Sequence, residues 1–118
     1  MIVMPWPPTV NHYWRNVGGK VLISAQGRQY REAVAALALA DSWPSFPTER
    51  LRVTIEAWMP DRRRRDLDNV LKSLLDSLTH AGVWTDDSQV DDLRIYRASR
   101  IGGMCKVEIA EITAEGNP

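Results

Sequence analysis

At 118 residues, 44% of them hydrophobic, the chain is sized for one domain around one core. Fifteen Lys and Arg balance fifteen Asp and Glu, so any affinity for a polyanion has to come from where the charges sit. The single cysteine, Cys105, excludes an intramolecular disulfide and, with only two His, a cysteine-based zinc centre; it fits a reducing cytoplasm. No apolar run reaches the length of a membrane span, and the N-terminus has neither the basic n-region nor the apolar core expected of a secretory signal.

In chain order, "IVMPW" reads as a short strand stopped by Pro7 and Pro8, and "TVNHYWRNVGGK" as a loop with a Gly-Gly turn. After a short extended "VLI", Ser24 is placed to cap a helix near 25–41 with Tyr30, Val34 and Leu37 on one face. The prolines of "DSWPSFPTE" mark a loop. "LRVTIEAWM" alternates apolar Leu51, Val53, Ile55, Ala57 and Met59 with Arg52, Thr54, Glu56 and Trp58, the pattern of a half-buried strand. A second helix is expected from about 66 to 80, with Leu67, Leu71, Leu74, Leu75 and Leu78 as its apolar stripe and Gly82 just past its end. "GVWTDDSQ" is a loop, and "VDDLRIYRAS" and "MCKVEIAEI" are two late strands joined through a Gly-Gly hairpin turn in "RIGG". The expected architecture is a single α/β (α+β) domain over 1–118, a mixed sheet of about four strands with two helices packed on it.

The chemistry concentrates in "RRRRDLDN", residues 62–69. Asp66 and Asp68 point the same way on an extended chain but about 200° apart on a helix, so they share a ligand only at a strand-to-helix junction or in extended backbone. The plain structural alternative is that Asp66 caps the helix and Asp68 complements its positive end. Further along, Asp68, Lys72 and Asp76 fall at i, i+4 and i+8, with Asn69 and Ser73 extending that polar face. Such a face is either a solvated row of ion pairs or a place where a hard cation meets carboxylates beside a phosphate-binding lysine. Asp86 and Asp87 in the following loop, then Asp91 and Asp92, offer further carboxylates, although turns favour Asp for their own reasons. Three carboxylates from two segments suffice for one or two divalent ions of the kind that hydrolyse phosphodiesters. His12 and His80 are isolated, His80 at a helix C-terminus, and no phosphate-loop or dinucleotide motif is present.

Twelve of the fifteen basic residues are Arg, whose planar fork suits phosphate. Arg62, Arg63, Arg64 and Arg65 cannot all turn toward one acidic pair, because side chains alternate along extended backbone. Residues 1–31 carry Arg15, Lys20, Arg28 and Arg31 and no acid. Ordinary solvated surface competes with phosphate contact for these groups. Tyr13 and Trp14 lie among them in a polar segment and are better placed than Trp6 to stack on a base.

The stretches "PWPPTVNHYWR", "SAQGRQYRE", "MPDRRRRDLDNVLKSLLDSL" and "AGVWTDDSQV" resemble the RusA-type Holliday junction resolvases over roughly residues 4 to 97; the last twenty residues match only in strand-like character. The resemblance implies a small Mg²⁺-dependent endonuclease, with Mn²⁺ as an alternative ion, of bacterial or prophage origin and cytoplasmic. It implies a homodimer that cuts two strands symmetrically across a four-way DNA junction, without membrane or organic cofactor. The family's metal-binding carboxylates fall on Asp66, Asp68 and Asp87 and its essential lysine on Lys72; Asp76 and Asp86 match acidic positions of lower rank. Val10 and His12 are local departures in an otherwise aromatic and polar segment. DNA contact is expected from Arg62 to Arg65, Asn69, Tyr13, Trp14, Arg15 and Lys20. Two rivals stand beside this reading: a metal-dependent nuclease for other branched or duplex DNA, and a non-catalytic DNA-binding module.

Overall fold

In the computed structural model, which describes residues 1–113, the chain runs β1 (Ile2–Pro5), α1 (Val10–Tyr13), β2 (Trp14–Val17), β3 (Lys20–Ile23), α2 (Ala25–Ala40), β4 (Leu51–Trp58), α3 (Asp68–His80), a 3₁₀ turn (Asp87–Gln89), β5 (Val90–Arg97) and β6 (Met104–Glu111). Residues 114–118 of the expected domain lie outside the described residues. Four strands form a mixed sheet in the order β1-β6-β4-β5. β4 pairs antiparallel with β6 and parallel with β5, and the parallel pair is bridged by α3, the crossover such a pair requires.

The alternation in β4 places Leu51, Val53, Ile55 and Ala57 on the helix-covered face, all fully buried. Tyr30 and Val34 of α2 and Leu74 and Leu78 of α3 close over them, with Cys105 and Val107 beside them from β6. Burying each large aliphatic side chain contributes about 1.5–3 kcal/mol. The opposite sheet face is polar: Arg52 pairs with Asp92, Glu56 accepts hydrogen bonds from the Trp58 indole and the Tyr96 hydroxyl, and Lys106 lies over Trp58. The site therefore has to be sought on the helical side and at the strand ends.

Four expectations change. The segment expected as a loop after Pro8 instead forms α1 and a hairpin of β2 with β3, turned at Gly18 and Gly19, whose φ values of 56° and 80° suit a two-residue turn. "RIGG" makes no hairpin, because β4 lies between β5 and β6; the Gly102 and Gly103 amides instead both donate to the Met59 carbonyl as the chain crosses the end of β4. α3 begins at Asp68 and not at 66: Leu67 occupies the cap position, and no side chain caps the helix. Its buried stripe is Val70, Ser73, Leu74, Ser77 and Leu78, with Leu67, Leu71 and Leu75 only half-buried. The stripe turns this way because Ser73 and Ser77 satisfy their hydroxyls on Val70 and Leu74 carbonyls, and Ser73 also donates to the Pro8 carbonyl at 2.6 Å. The helix end is as expected: Gly82 has φ 84°, and Val83 and Gly82 donate to Leu78 and Thr79 carbonyls in a Schellman arrangement.

Candidate active site

The loop between β4 and α3 presents the basic tract. Its counter-ion is Asp61: Arg65 donates to it through Nη2 at 2.8 Å and Nε at 3.2 Å, and Arg63 through its backbone amide at 3.0 Å. These contacts hold the Asp61 carboxyl below the usual carboxylate range, the Arg65 bond first. Arg97 fastens the loop by donating to the Arg65 carbonyl at 2.7 Å. Among the described residues, Arg62 and Arg64 make no ion pair, and the side chains of Asp66 and Asp68 have no hydrogen-bond or ion-pair partner. The arginines of this tract thus pair with Asp61 or with no acid, and not with Asp66 or Asp68.

Asp66 and Asn69 line a groove of about 480 Å³ with Trp6, Thr9, Arg64 and Arg65. Lys72, one turn beyond Asp68, lines a second groove of about 340 Å³ with Asn11, Trp14, Arg15 and Val21. Residues of the first α-helical turn, Thr9 and Val10, edge one groove each. The Lys72 ammonium stands 5.9 Å from the centre of the Trp14 ring and makes no ion pair among the described residues. Asp87 lies within electrostatic reach of Lys72 and Asp76. Partial shielding from water, then a hydrogen bond with Asp86 and the charges of Asp86 and Asp76, push its carboxyl above the usual range.

The other acids are committed elsewhere. Asp76 accepts from Tyr13 and Arg31, Asp91 pairs with Arg50, and Asp92 with Arg52. Asp86 caps the 3₁₀ turn by accepting from the Ser88 amide at 2.9 Å. That turn is held by Gln89, which is buried: its carbonyl oxygen accepts from Thr85 and Asp86, and its amide donates to Phe46 and Glu49 carbonyls. The sequence alone does not mark Arg31 and Asp61 for these roles, because their partners are distant or lie within a run of like residues. Only Gln89 had a local signal, since Asp86 and Gln89 have the spacing of a capping box.

One expected DNA contact is corrected: Tyr13 is fully buried, so its ring is not free for a base. Trp14 is half-buried, with Arg31 and Lys72 beside its ring, and lines the groove that Lys72 also lines. The Trp14 indole nitrogen is buried without a hydrogen-bond partner among the described residues. Arg15 and Lys20 are exposed on the hairpin, as surface contact requires. Ser73, expected on the polar face, is buried.

The unpaired carboxylates are hard oxygen donors, and a divalent ion such as Mg²⁺ takes one or two of them with phosphate and water. The donor set therefore fits such an ion in chemistry, although among the described residues no three acidic, His or Cys side chains converge within one chain.

The family model described as endodeoxyribonuclease RusA matches residues 5–110. The chain is 45% identical over 111 residues to the crossover junction endodeoxyribonuclease of Enterobacteria phage HK97, covering 93% of this chain and 92% of that one. It is 42% identical over 118 residues to the enzymes of the same name from Escherichia coli strain K12 and from Enterobacteria phage 82, covering 97% of this chain and 96% of each. Membership of this nuclease family implies a divalent metal cofactor and branched DNA as substrate, and among the described residues no helix is long and apolar enough to cross a membrane. With the match spanning nearly the whole chain, this protein belongs to the RusA family of crossover junction endodeoxyribonucleases.

Proposed function

We propose that this chain is a Mg²⁺-dependent endonuclease, able to use Mn²⁺ in its place, that acts as a cytoplasmic homodimer and resolves four-way DNA junctions by paired, symmetric cuts. The observation that carries the reading is the division of charge in residues 61–68: Asp61 holds the arginine loop, while Asp66 and Asp68 are exposed carboxylates with no protein partner among the described residues. Asp66, Asp68 and Asp87 would hold the ion. When bound, it supplies Lewis-acid polarisation of the scissile phosphate and a water of lowered pKa.

The chain's own residues supply the rest. Arg62 and Arg64, free of internal ion pairs, meet phosphates flanking the cut. Arg15 and Lys20 extend the positive surface onto the hairpin. Lys72, which lines a groove with Arg15 and Trp14, neutralises charge gathering on the phosphate or orients the attacking water. Asn69, beside Asp66, offers a neutral amide to the same strand. A two-fold dimer presents two such sites to two strands.

The deciding experiment compares a four-way junction with linear duplex, with and without Mg²⁺, for the parent and Asp68→Asn. Metal-dependent paired nicks in the junction alone are expected. Asp68→Asn should bind the junction and leave it uncut. Equal cutting of duplex would favour a nuclease of other DNA, and a fully active Asp68→Asn enzyme would remove Asp68 from the metal site.

A further inference from the structure

Lys72 sits one helical turn from an acid on either side. Asp68 precedes it by four residues and Asp76 follows it by four, a rise of about 6 Å each way and within ordinary pairing reach. Among the described residues it nevertheless makes no ion pair; its ammonium stands over the face of Trp14 and within electrostatic reach of Asp87.

Asp76 explains half of this. Its Oδ2 accepts from Arg31 Nε at 2.9 Å and Nη2 at 2.6 Å and from the buried Tyr13 hydroxyl. Arg31 Nε also donates to that hydroxyl at 2.8 Å. The guanidinium lies 5.7 Å from the ring centres of both Tyr13 and Trp14, so its position is fixed by ring faces as well as by hydrogen bonds. Each of the three helices contributes one member: Tyr13 from α1, Arg31 from α2, Asp76 from α3. The cluster is largely shielded, with Arg31 and Asp76 side chains 23% and 28% exposed. Gly27 permits this approach, because a Cβ there would stand 2.5 Å from the Tyr13 carbonyl oxygen.

We infer that Arg31 and Tyr13 are positioning residues that hold the Asp76 carboxylate away from Lys72, keeping the lysine ammonium unpaired and free for a DNA phosphate. This rests on the proposed role of Lys72. Remove Arg31, and Asp76 becomes a shielded carboxylate without a cation. The nearest cation on its own helix face is Lys72, and capture of Lys72 withdraws it from the DNA.

The test is Arg31→Met, alone and combined with Asp76→Asn, with near-UV circular dichroism as the check on folding. Arg31→Met should lower the single-turnover cleavage rate at least about tenfold, the scale of a lost charge-stabilising contact. With divalent metal omitted, the salt slope of junction binding should fall by about 0.9, one phosphate contact. Adding Asp76→Asn removes the acid that captures Lys72, so rate and slope should both return to those of Asp76→Asn alone. A purely structural cluster predicts the reverse, since the second change deletes its remaining anchor; a double variant no better than Arg31→Met overturns the inference, as does an Arg31→Met enzyme with parental rate and slope. If the Met variant loses its fold, Arg31→Gln is read in the same pair. Lys72→Met separates the two levels: if it cleaves normally, the role of Lys72 itself fails, whereas an inactive Lys72→Met with no rescue in the double variant defeats only the positioning by Arg31.

Discussion

The four arginines before Asp66 are divided by the structure into two kinds, and the division has a measurable consequence. Arg65 is committed to Asp61 through two hydrogen bonds, and Arg63 is drawn to the same carboxylate at 3.8 Å. Arg62 and Arg64 are exposed and unpaired among the described residues. Changing both to Ala removes two phosphate contacts, which for duplex arms lowers the slope of log affinity against log salt by about 1.8. Across a fourfold rise in salt, from about 50 to 200 mM, that is a difference of about one log unit, so the variant should lose about tenfold less affinity than the parent. Fluorescence anisotropy with a labelled four-way junction in EDTA measures this without cleavage. Arg65→Ala is the internal control. It leaves Asp61 with only the Arg63 amide and the looser Arg63 guanidinium, and should lower the melting temperature while barely changing the slope. An unchanged slope in Arg62→Ala/Arg64→Ala, or an equal fall in Arg65→Ala, would refute the division.

Two further outcomes follow from shifted acids. The raised carboxyl of Asp87 means that the folded chain binds this proton more tightly than the unfolded chain. Metal-free stability from this group is therefore full below the unfolded carboxylate pKa and is lost as pH rises through the folded one. Asp87→Asn should consequently melt higher than the parent at pH 7 in EDTA, and Mg²⁺ titration should close or reverse the gap by stabilising only the parent; a variant that melts lower in EDTA would contradict this. Burial pushes the Cys105 thiol up to about 12, leaving roughly one part in 10⁴ as thiolate at pH 8. Native protein should therefore stay unreactive toward a disulfide reagent at pH 8 and react fully once unfolded, and prompt labelling of the native state would show the core around Cys105 to be open.

Where the sequence was legible, the signal was periodic and local. The alternation of β4, the Ser24 cap and the Gly82 stop each state their structure within a few residues, and each stands as read. The failures share a different cause. The leucines of α3 suggest its stripe, yet its contact face includes Ser73, because a hydroxyl that reaches the Pro8 carbonyl lets the helix approach the chain before α1. The Gly-Gly of "RIGG" has the composition of a hairpin turn, but strand order decides what it connects, and strand order depends on the parallel pairing of β4 with β5. Tyr13 looked like a surface aromatic because its neighbours are polar; its partners, Arg31 and Asp76, are 18 and 63 residues away.

The same long-range pairing sharpens the candidate metal site. Acids cluster between residues 61 and 92, and residue types alone do not rank them. Their partners do. Asp61 holds Arg65, Asp76 holds Arg31 and Tyr13, Asp86 caps the 3₁₀ turn, and Asp91 and Asp92 bind Arg50 and Arg52 across β4 and β5. An acid bound to arginine or to a backbone amide has its lone pairs occupied, and freeing it for a cation would break a contact the fold uses. Among the described residues Asp66 and Asp68 have no such commitment, and the ionised form of Asp87 is disfavoured by partial shielding from water and by the neighbouring Asp86 and Asp76, which Lys72 only partly offsets. A divalent ion would relieve that repulsion and fill those lone pairs at once. Among the described residues, Asp66, Asp68 and Asp87 are thus the acids of this stretch that hold neither an arginine nor a backbone amide, and this is what supports the metal role proposed for them.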